Sequence, residues 1–174
     1  ACSAVAVYAD YQPTLNRACE LAHILGEASL RDRLIAYPAI AQNPSLLSCE
    51  IAGRFFMDAF LAQLLEETEW ERREHAAVLW QALRQIGVNL LHLPFRFELS
   101  HRLHEERRHG YLSVNDINKL TNTIWEDYFA DTVRGSDQYV WAAKLHFYLP
   151  REPHYDWQYT AGYLIAAVLR RRLL

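Results

Sequence analysis

The sequence predicts a mainly α-helical protein with at most one short strand near its N-terminus. Only 6 Gly and 6 Pro occur among 174 residues, which favours long helices over a turn-rich β fold. Between these residues, apolar side chains recur at steps of three and four, as on one face of an amphipathic helix. Apolar residues make up 51% of the chain, enough for an ordinary core. We therefore expect a single helical domain over residues 1–174, or two closely packed subdomains.

The first elements follow from alternation and from capping residues. Apolar residues alternate over Ser3–Tyr8, which predicts the single strand. A helix is expected over Pro13–Leu34, because a first helical turn tolerates proline. Asn43 is a good N-cap with Pro44 at the first helical position, which predicts a second helix ending near Glu67.

Amphipathic periodicity predicts five further helices, separated by glycine or proline. Gly87 is expected to close the first of them, and Ser113 and Asp116 have the spacing of a capping box. The predicted segments are Glu69–Gln85, Leu91–His109, Ser113–Gly135, Gln138–Tyr148 and Tyr155–Leu173.

Charge and cysteine content exclude several classes of protein. The net charge is −3, and most basic clusters stand beside acidic residues, as on solvated helix faces, so we expect no nucleic-acid partner. The apolar runs are too short for a membrane span, and no basic region leads into a secretion signal. Cys2, Cys19 and Cys49 form no CxxC motif and no even framework, which favours a reduced, cytoplasmic setting.

One helical segment carries residues with metal-ligand spacing. His23 and Glu27 are four residues apart and share a helix face, the spacing that HExxH zinc peptidases use for two ligands. An ordinary surface pair has the same spacing. Glu50 lies on an apolar stripe and must be paired, protonated or coordinating, and an ion pair with Arg54 one turn later would satisfy it. Cys19, one turn before His23, is either a soft ligand or a buried thiol.

Several segments, in order along the chain, resemble the thimet oligopeptidase and oligoendopeptidase F family of zinc peptidases. Residues 21–27, LAHILGE, resemble the family's LAHELGH core, and residues 48–55, SCEIAGRF, resemble the helix that carries the third zinc ligand. Residues 97–113 resemble its FExxxxExxxxGxLS stretch. The most specific segments are residues 144–148, KLHFY, and residues 153–164, PHYDWQYTAGYL, which are similar to the family's KLHFY and PFYNFPYTFGYL.

The resemblance implies a zincin-like helical bundle with zinc held between two helices. His23, Glu27 and Glu50 occupy the three ligand positions. Further residues stand where the family places side chains around the substrate and the oxyanion: His146, Tyr155, Tyr159 and Tyr163. Core packing at helical spacing is the alternative for the tyrosines, and it explains Tyr163 equally well. A histidine and phenols are neutral donors that can stabilise a developing oxyanion.

Departures from the family pattern predict that hydrolysis is lost. Ile24 replaces the general base, Glu27 replaces the second histidine, and Met57 stands where a supporting Glu is common. The family's N-terminal part, which forms the other wall of the peptide cleft, is also absent from this sequence. We therefore expect an inactive relative, with no zinc or weakly bound zinc, that serves as a peptide- or protein-binding or assembly module.

Two alternatives remain open at this point. One is a working zinc metalloendopeptidase with aberrant His/Glu/Glu ligands, completed by another chain. The other is a bare helical dimerisation domain. We expect a homodimer or a partner chain, because one small domain buries most but not all of the large apolar side chains that the helices carry. These are Phe55, Phe56, Phe60, Trp80, Phe95, Phe97, Trp125, Trp141 and Trp157.

Overall fold

The structure, a computed structural model, describes residues 5–10, 12–67, 69–149 and 154–173. Within these ranges the chain forms seven α-helices and no strand, so the mainly α-helical prediction is confirmed. The helices are α1 (Leu15–Leu34), α2 (Leu46–Glu66), α3 (Arg72–Gly87), α4 (Leu93–Arg108), α5 (Val114–Phe129), α6 (Val140–Ala143) and α7 (Trp157–Leu173). A π-helical segment (Val88–His92) and two 3₁₀ segments (Ala130–Thr132 and Leu145–Tyr148) complete the regular structure of the described chain.

The chain divides into two compact units, each with its own buried core. The first unit consists of Ala1–Gln85 and Ala161–Leu174, and the second of Ile86–Thr160. The core of the first unit is built on Cys19, Met57, Leu61 and Val78. The core of the second unit is built on Phe95, Leu99, Ile124, Phe129 and Val140.

Helices α1 and α2 pack closely because glycine lies at their points of contact. A Cβ atom at Gly26 would meet the backbone of Ala52, which cannot move aside. A Cβ atom at Gly53 would lie 2.6 Å from the imidazole ring of His23. The small residues therefore let the ring of His23 rest directly on the backbone of α2.

Two helices begin later than predicted because hydroxyl side chains cap them. The Thr14 side chain accepts a hydrogen bond from the Arg17 amide, so Pro13 precedes the helix instead of lying in its first turn. Ser45 caps α2 by accepting from the amide of Ser48, so Asn43 is not the cap. A Ser or Thr hydroxyl next to the first helical residue satisfies an otherwise unpaired amide.

Gly87 is the last residue of α3, as predicted, but it does not end the helical backbone. Gly87 has right-handed helical dihedrals (φ −58°), and the backbone continues into the π-helical segment. The capping box of Ser113 and Asp116 is confirmed. The helix it starts ends at Phe129 instead of Gly135, because Ala130 takes a positive φ of 43°.

The remaining predicted segments also differ in part. The helix predicted for Gln138–Tyr148 is divided into α6 and a 3₁₀ segment, because Lys144 adopts an extended conformation. The strand predicted for Ser3–Tyr8 lies partly outside the described residues, and residues 5–8 have no regular structure.

Two findings bear on the predicted setting of the protein. None of the helices in the described ranges has the length and apolar character that crossing a bilayer requires. Cys19 and Cys49 are free, buried thiols, and Cys2 lies outside the described residues.

Candidate functional site

The three predicted metal ligands converge in the first unit. His23 lies in the middle of α1 with Glu27 one turn later, and Glu50 lies in the first turns of α2. The Nε2 atom of His23 is 3.0 Å from Oε1 of Glu27 and 3.7 Å from Oε2 of Glu50. One ligand atom from each residue lies within 4.8 Å of the others. The convergence predicted from the sequence is therefore confirmed.

Glu50 also makes the ion pair that the sequence allowed. The Nε atom of Arg54 is 3.6 Å from the same Oε2 atom that faces His23. Burial raises the pKa of Glu50, while His23 and Arg54 act in the opposite direction. The hydrogen bond with His23 lowers the pKa of Glu27. Glu27 contacts His23, and Glu50 contacts both His23 and Arg54.

The ligand atoms of His23, Glu27 and Glu50 are spaced as a divalent cation requires, but the neighbouring groups do not favour a bound cation. Tetrahedral zinc places its donor atoms about 3.3–3.6 Å apart, close to the distances in this cluster. A ligating histidine nearly always donates its other N–H group, yet Nδ1 of His23 is buried with no hydrogen-bond partner among the described residues. Arg54 adds a positive charge beside Glu50. A metal ion bound by these donors would therefore lie close to the guanidinium group of Arg54.

Of the other residues in the zinc-peptidase pattern, Cys19 and Met57 lie in the core, and none supplies a carboxylate in place of Ile24. Cys19 is completely buried among apolar side chains and is not part of the ligand group. Met57 is buried in the same core. Glu20, the nearest other carboxylate on α1, already binds Asn16 and Arg17. No carboxylate of α1 therefore takes over the role that Ile24 cannot perform.

Three of the residues predicted around the substrate form an aromatic cluster in the second unit. His146 lies on the 3₁₀ segment, Tyr155 just before α7 and Tyr159 in its first turn. Ring centroids are separated by 5.1 Å for His146 and Tyr155 and by 5.5 Å for the two tyrosines. All three side chains are half-buried, so their rings pack together while part of each remains accessible.

Arg96 and Asp156 support this cluster, and the sequence reasoning missed both. Nη2 of Arg96 lies 2.8 Å from Oδ1 of Asp156 and 2.6 Å from Nδ1 of His146. Arg96 is 6% exposed and Asp156 2% exposed. The available signal was a single charge between large apolar residues, since Phe95 and Phe97 flank Arg96. A buried charge requires a partner.

The contact with Arg96 determines the protonation of His146. A guanidinium group can only donate, so Nδ1 of His146 accepts and a neutral ring carries its proton on Nε2. Burial lowers the pKa of His146, and the charge of Arg96 lowers it further. Burial raises the pKa of Asp156, which the charge of Arg96 opposes. The result is a neutral N–H donor beside two phenol groups, which suits the binding of carbonyl oxygens.

The chain matches no protein-family model, no curated protein and no solved structure. The two side-chain clusters and their chemistry are therefore the basis for a functional assignment.

Proposed function

We propose that the chain is a helical peptide-binding module without hydrolytic activity. The neutral donors of His146 and Tyr155, with the ring of Tyr159 packed against both, bind carbonyl oxygens of an extended peptide. The observation that carries this proposal is the hydrogen bond from Arg96 to Nδ1 of His146. Because that bond occupies the acceptor nitrogen, the ring offers an N–H donor and has no free nitrogen to serve as a base.

The first unit supplies the reason for the absence of hydrolysis. Loss of a general base alone typically costs on the order of 10²–10⁴ in rate. Ile24 stands at the base position, and Glu27 replaces a neutral ligand with an anion. The cluster of His23, Glu27, Glu50 and Arg54 serves instead as a set of ion pairs that joins α1 to α2.

Cleavage assays test the absence of activity. The purified chain is incubated with a mixed pool of short peptides, with added zinc, with a chelator or with neither, and cleavage is followed by mass spectrometry. We expect no cleavage under any of these conditions. Chelator-sensitive cleavage at an enzyme-like rate would contradict the proposal and favour a working metalloendopeptidase.

Binding is tested separately with the same peptides. Ultrafiltration followed by mass spectrometry identifies retained peptides, and their affinities are then measured for variants. Tyr155→Phe removes one donor and should weaken binding about 2- to 10-fold, the effect of one hydrogen bond. Tyr111→Phe is the matched control, because Tyr111 belongs to the same unit, is 91% exposed and lies outside the cluster. Equal affinities of the two variants, or retention of no peptide, would show that the cluster does not bind peptides.

A second candidate function is divalent-cation binding at His23, Glu27 and Glu50. The convergence of their ligand atoms within 4.8 Å favours it. Equilibrium dialysis with zinc tests it on the wild type, on Glu50→Gln and on Glu20→Gln as a control on the same helix pair. A dissociation constant below about 1 μM that is lost only in Glu50→Gln would establish the metal site. We expect weak binding that the two variants change equally.

A further inference from the structure

The second unit contains a pocket whose lining side chains are different from those assigned to peptide binding. Its volume is about 240 Å³. This lies slightly below the range of about 300–1,000 Å³ that is typical of pockets for drug-sized ligands, so the pocket suits a molecule with a single ring. The side chains that matter for its chemistry are His104, Arg107, Ile117, Trp141, Phe147 and Tyr148.

Most of the wall is apolar and aromatic. The indole N–H of Trp141 donates to Oδ1 of Asn118 and to the carbonyl oxygen of Gln138, at 2.9 Å each. Because this donor is already used, Trp141 offers a ligand mainly its ring. Phe147 and Ile117 add further apolar surface. An aromatic ring is therefore the best match for the interior of the pocket.

Arg107 gives the pocket a positive charge, and the hydroxyl groups of Ser100 and Tyr148 can donate or accept hydrogen bonds. Arg107 and His104 are lining residues from α4, and no carboxylate is among the described residues that line the pocket. Nδ1 of His104 lies 2.7 Å from the carbonyl oxygen of Ser100, so Nδ1 carries a proton and donates it to that oxygen. Nε2 is then the ring nitrogen that can contact a ligand. No ion pair of Arg107 occurs within the described part of the chain.

The dipole of α4 explains only part of the positive charge beside this pocket. Basic residues in a last turn favourably oppose the helix dipole, and α4 ends with both Arg107 and Arg108. The dipole does not account for a guanidinium group at the edge of an aromatic pocket whose described lining residues include no acid. A bound anion would complete the charge of Arg107 and bring its own apolar body against the wall.

We propose that this pocket binds a small carboxylate that carries one aromatic ring. The ring packs against Trp141 and Phe147, and the carboxylate pairs with Arg107. The proposal is independent of peptide binding by the cluster around His146, because the two sites use different side chains.

Phenylacetate and its neutral analogue phenylacetamide test the proposal by titration of the intact chain, monitored by NMR. We expect saturable binding of phenylacetate, with phenylacetamide at least about tenfold weaker, because a hydrogen bond to a charged group is stronger than one between neutral groups. Equal affinity of the two compounds would overturn the proposal. So would the absence of binding by phenylacetate up to about 10 mM.

Two arginine variants show whether the pocket itself is responsible. Arg107→Gln should weaken phenylacetate at least about tenfold while leaving phenylacetamide unchanged. Arg108→Gln removes the same charge from the next position of α4, outside the pocket, and should leave both affinities unchanged. Thermal unfolding of each variant checks that both remain folded. Equal losses in the two variants would assign the effect to net charge and overturn the proposal.

Discussion

The cluster around His146 and the cluster around His23 differ in the contacts that their polar atoms make. Around His146, a short hydrogen bond from Arg96 holds the imidazole, and the same guanidinium group forms an ion pair with Asp156, whose Oδ1 atom has no hydrogen-bond partner in the described chain. Around His23, Glu27 makes a hydrogen bond of 3.0 Å, whereas the contact with Glu50 is longer than a hydrogen bond, and Oε2 of Glu50 likewise has no such partner among the described residues. The first arrangement orients a donor, whereas the second mainly balances charge.

The first prediction concerns the tautomer of His146. At neutral pH its ring should be neutral with the proton on Nε2, as seen in long-range ¹H–¹⁵N correlation spectra of histidine-labelled protein. Replacing the buried pair together, Arg96→Met with Asp156→Leu, avoids leaving one charge unpaired. Because the charge of Arg96 lowers the pKa of His146 more than the charge of Asp156 raises it, this double variant should raise that pKa. A wild-type ring protonated on Nδ1 would contradict the orientation, and the exposed His109 provides a reference ring.

The packing of α1 on α2 and the start of α5 each depend on one or two residues. The packing of α1 on α2 depends on Gly26, where the backbone of Ala52 leaves no room for a side chain. The start of α5 depends on Ser113 and Asp116, which satisfy each other's backbone amides. Each feature can be removed without changing the rest of its helix, so each supports a separate prediction.

The second prediction compares two glycines that are both helical. Gly26→Ala should destabilise the protein by about 1–3 kcal/mol, because the added methyl group must displace backbone atoms of α2. Gly87→Ala should stabilise it by about 0.5–1 kcal/mol, because nothing lies within 4 Å of the new Cβ and alanine is the better helix former. Urea unfolding measures both. Similar effects of the two substitutions would rule out close packing at Gly26.

The third prediction concerns the pH dependence of the cap of α5. Hydrogen bonds from Ser113 lower the pKa of Asp116 in the folded protein. The carboxylate therefore contributes stability above its unfolded pKa of about 3.9, and this contribution is lost as the pH falls through the lower folded value. Asp116→Asn should be less stable than wild type at pH 6, and the difference should shrink toward pH 3. Glu106→Gln, which removes an exposed carboxylate outside the cap, is the control; an identical pH profile would contradict the prediction.

The molecule as a whole leaves large apolar side chains in contact with solvent, as the sequence predicts. Phe95 is completely buried, whereas Trp80 is 67% exposed and Trp157 is 46% exposed. On α3, the exposed Leu83 lies three residues after Trp80 and four after the exposed Leu79, so it is a neighbour of both on the helix surface. Neighbouring exposed apolar residues of this size are typical of a surface that associates with another chain.

The fourth prediction is that the chain forms a homodimer through this surface of α3. Closed two-fold dimers are the commonest oligomers, and a stable one buries more than about 1,000 Å² in total. Light scattering at micromolar concentration should give the dimer mass for wild type and for Leu83→Met. Leu83→Glu should give the monomer mass, because the charge would be desolvated at the interface. A monomeric wild-type protein would contradict the prediction.

The sequence by itself determined the properties that depend on local spacing. The order of the helices follows from periodicity and punctuation, and His23 and Glu27 face the same side because residues four apart share a helix face. The capping box of α5 is equally local. The start of α2 was misjudged by two residues because Asn43 and Ser45 are both acceptable caps, and only the folded backbone selects between them.

Only the tertiary structure decided which distant residues meet. It brought Glu50 to His23, and it joined Arg96 to both His146 and Asp156, 50 and 60 positions along the chain. It also carried the helical backbone through Gly87, where local propensity predicted an end. Such contacts depend on how elements pack after the chain has folded back on itself. Periodicity identifies the face on which a residue lies, but the packing of the elements determines what that face contacts.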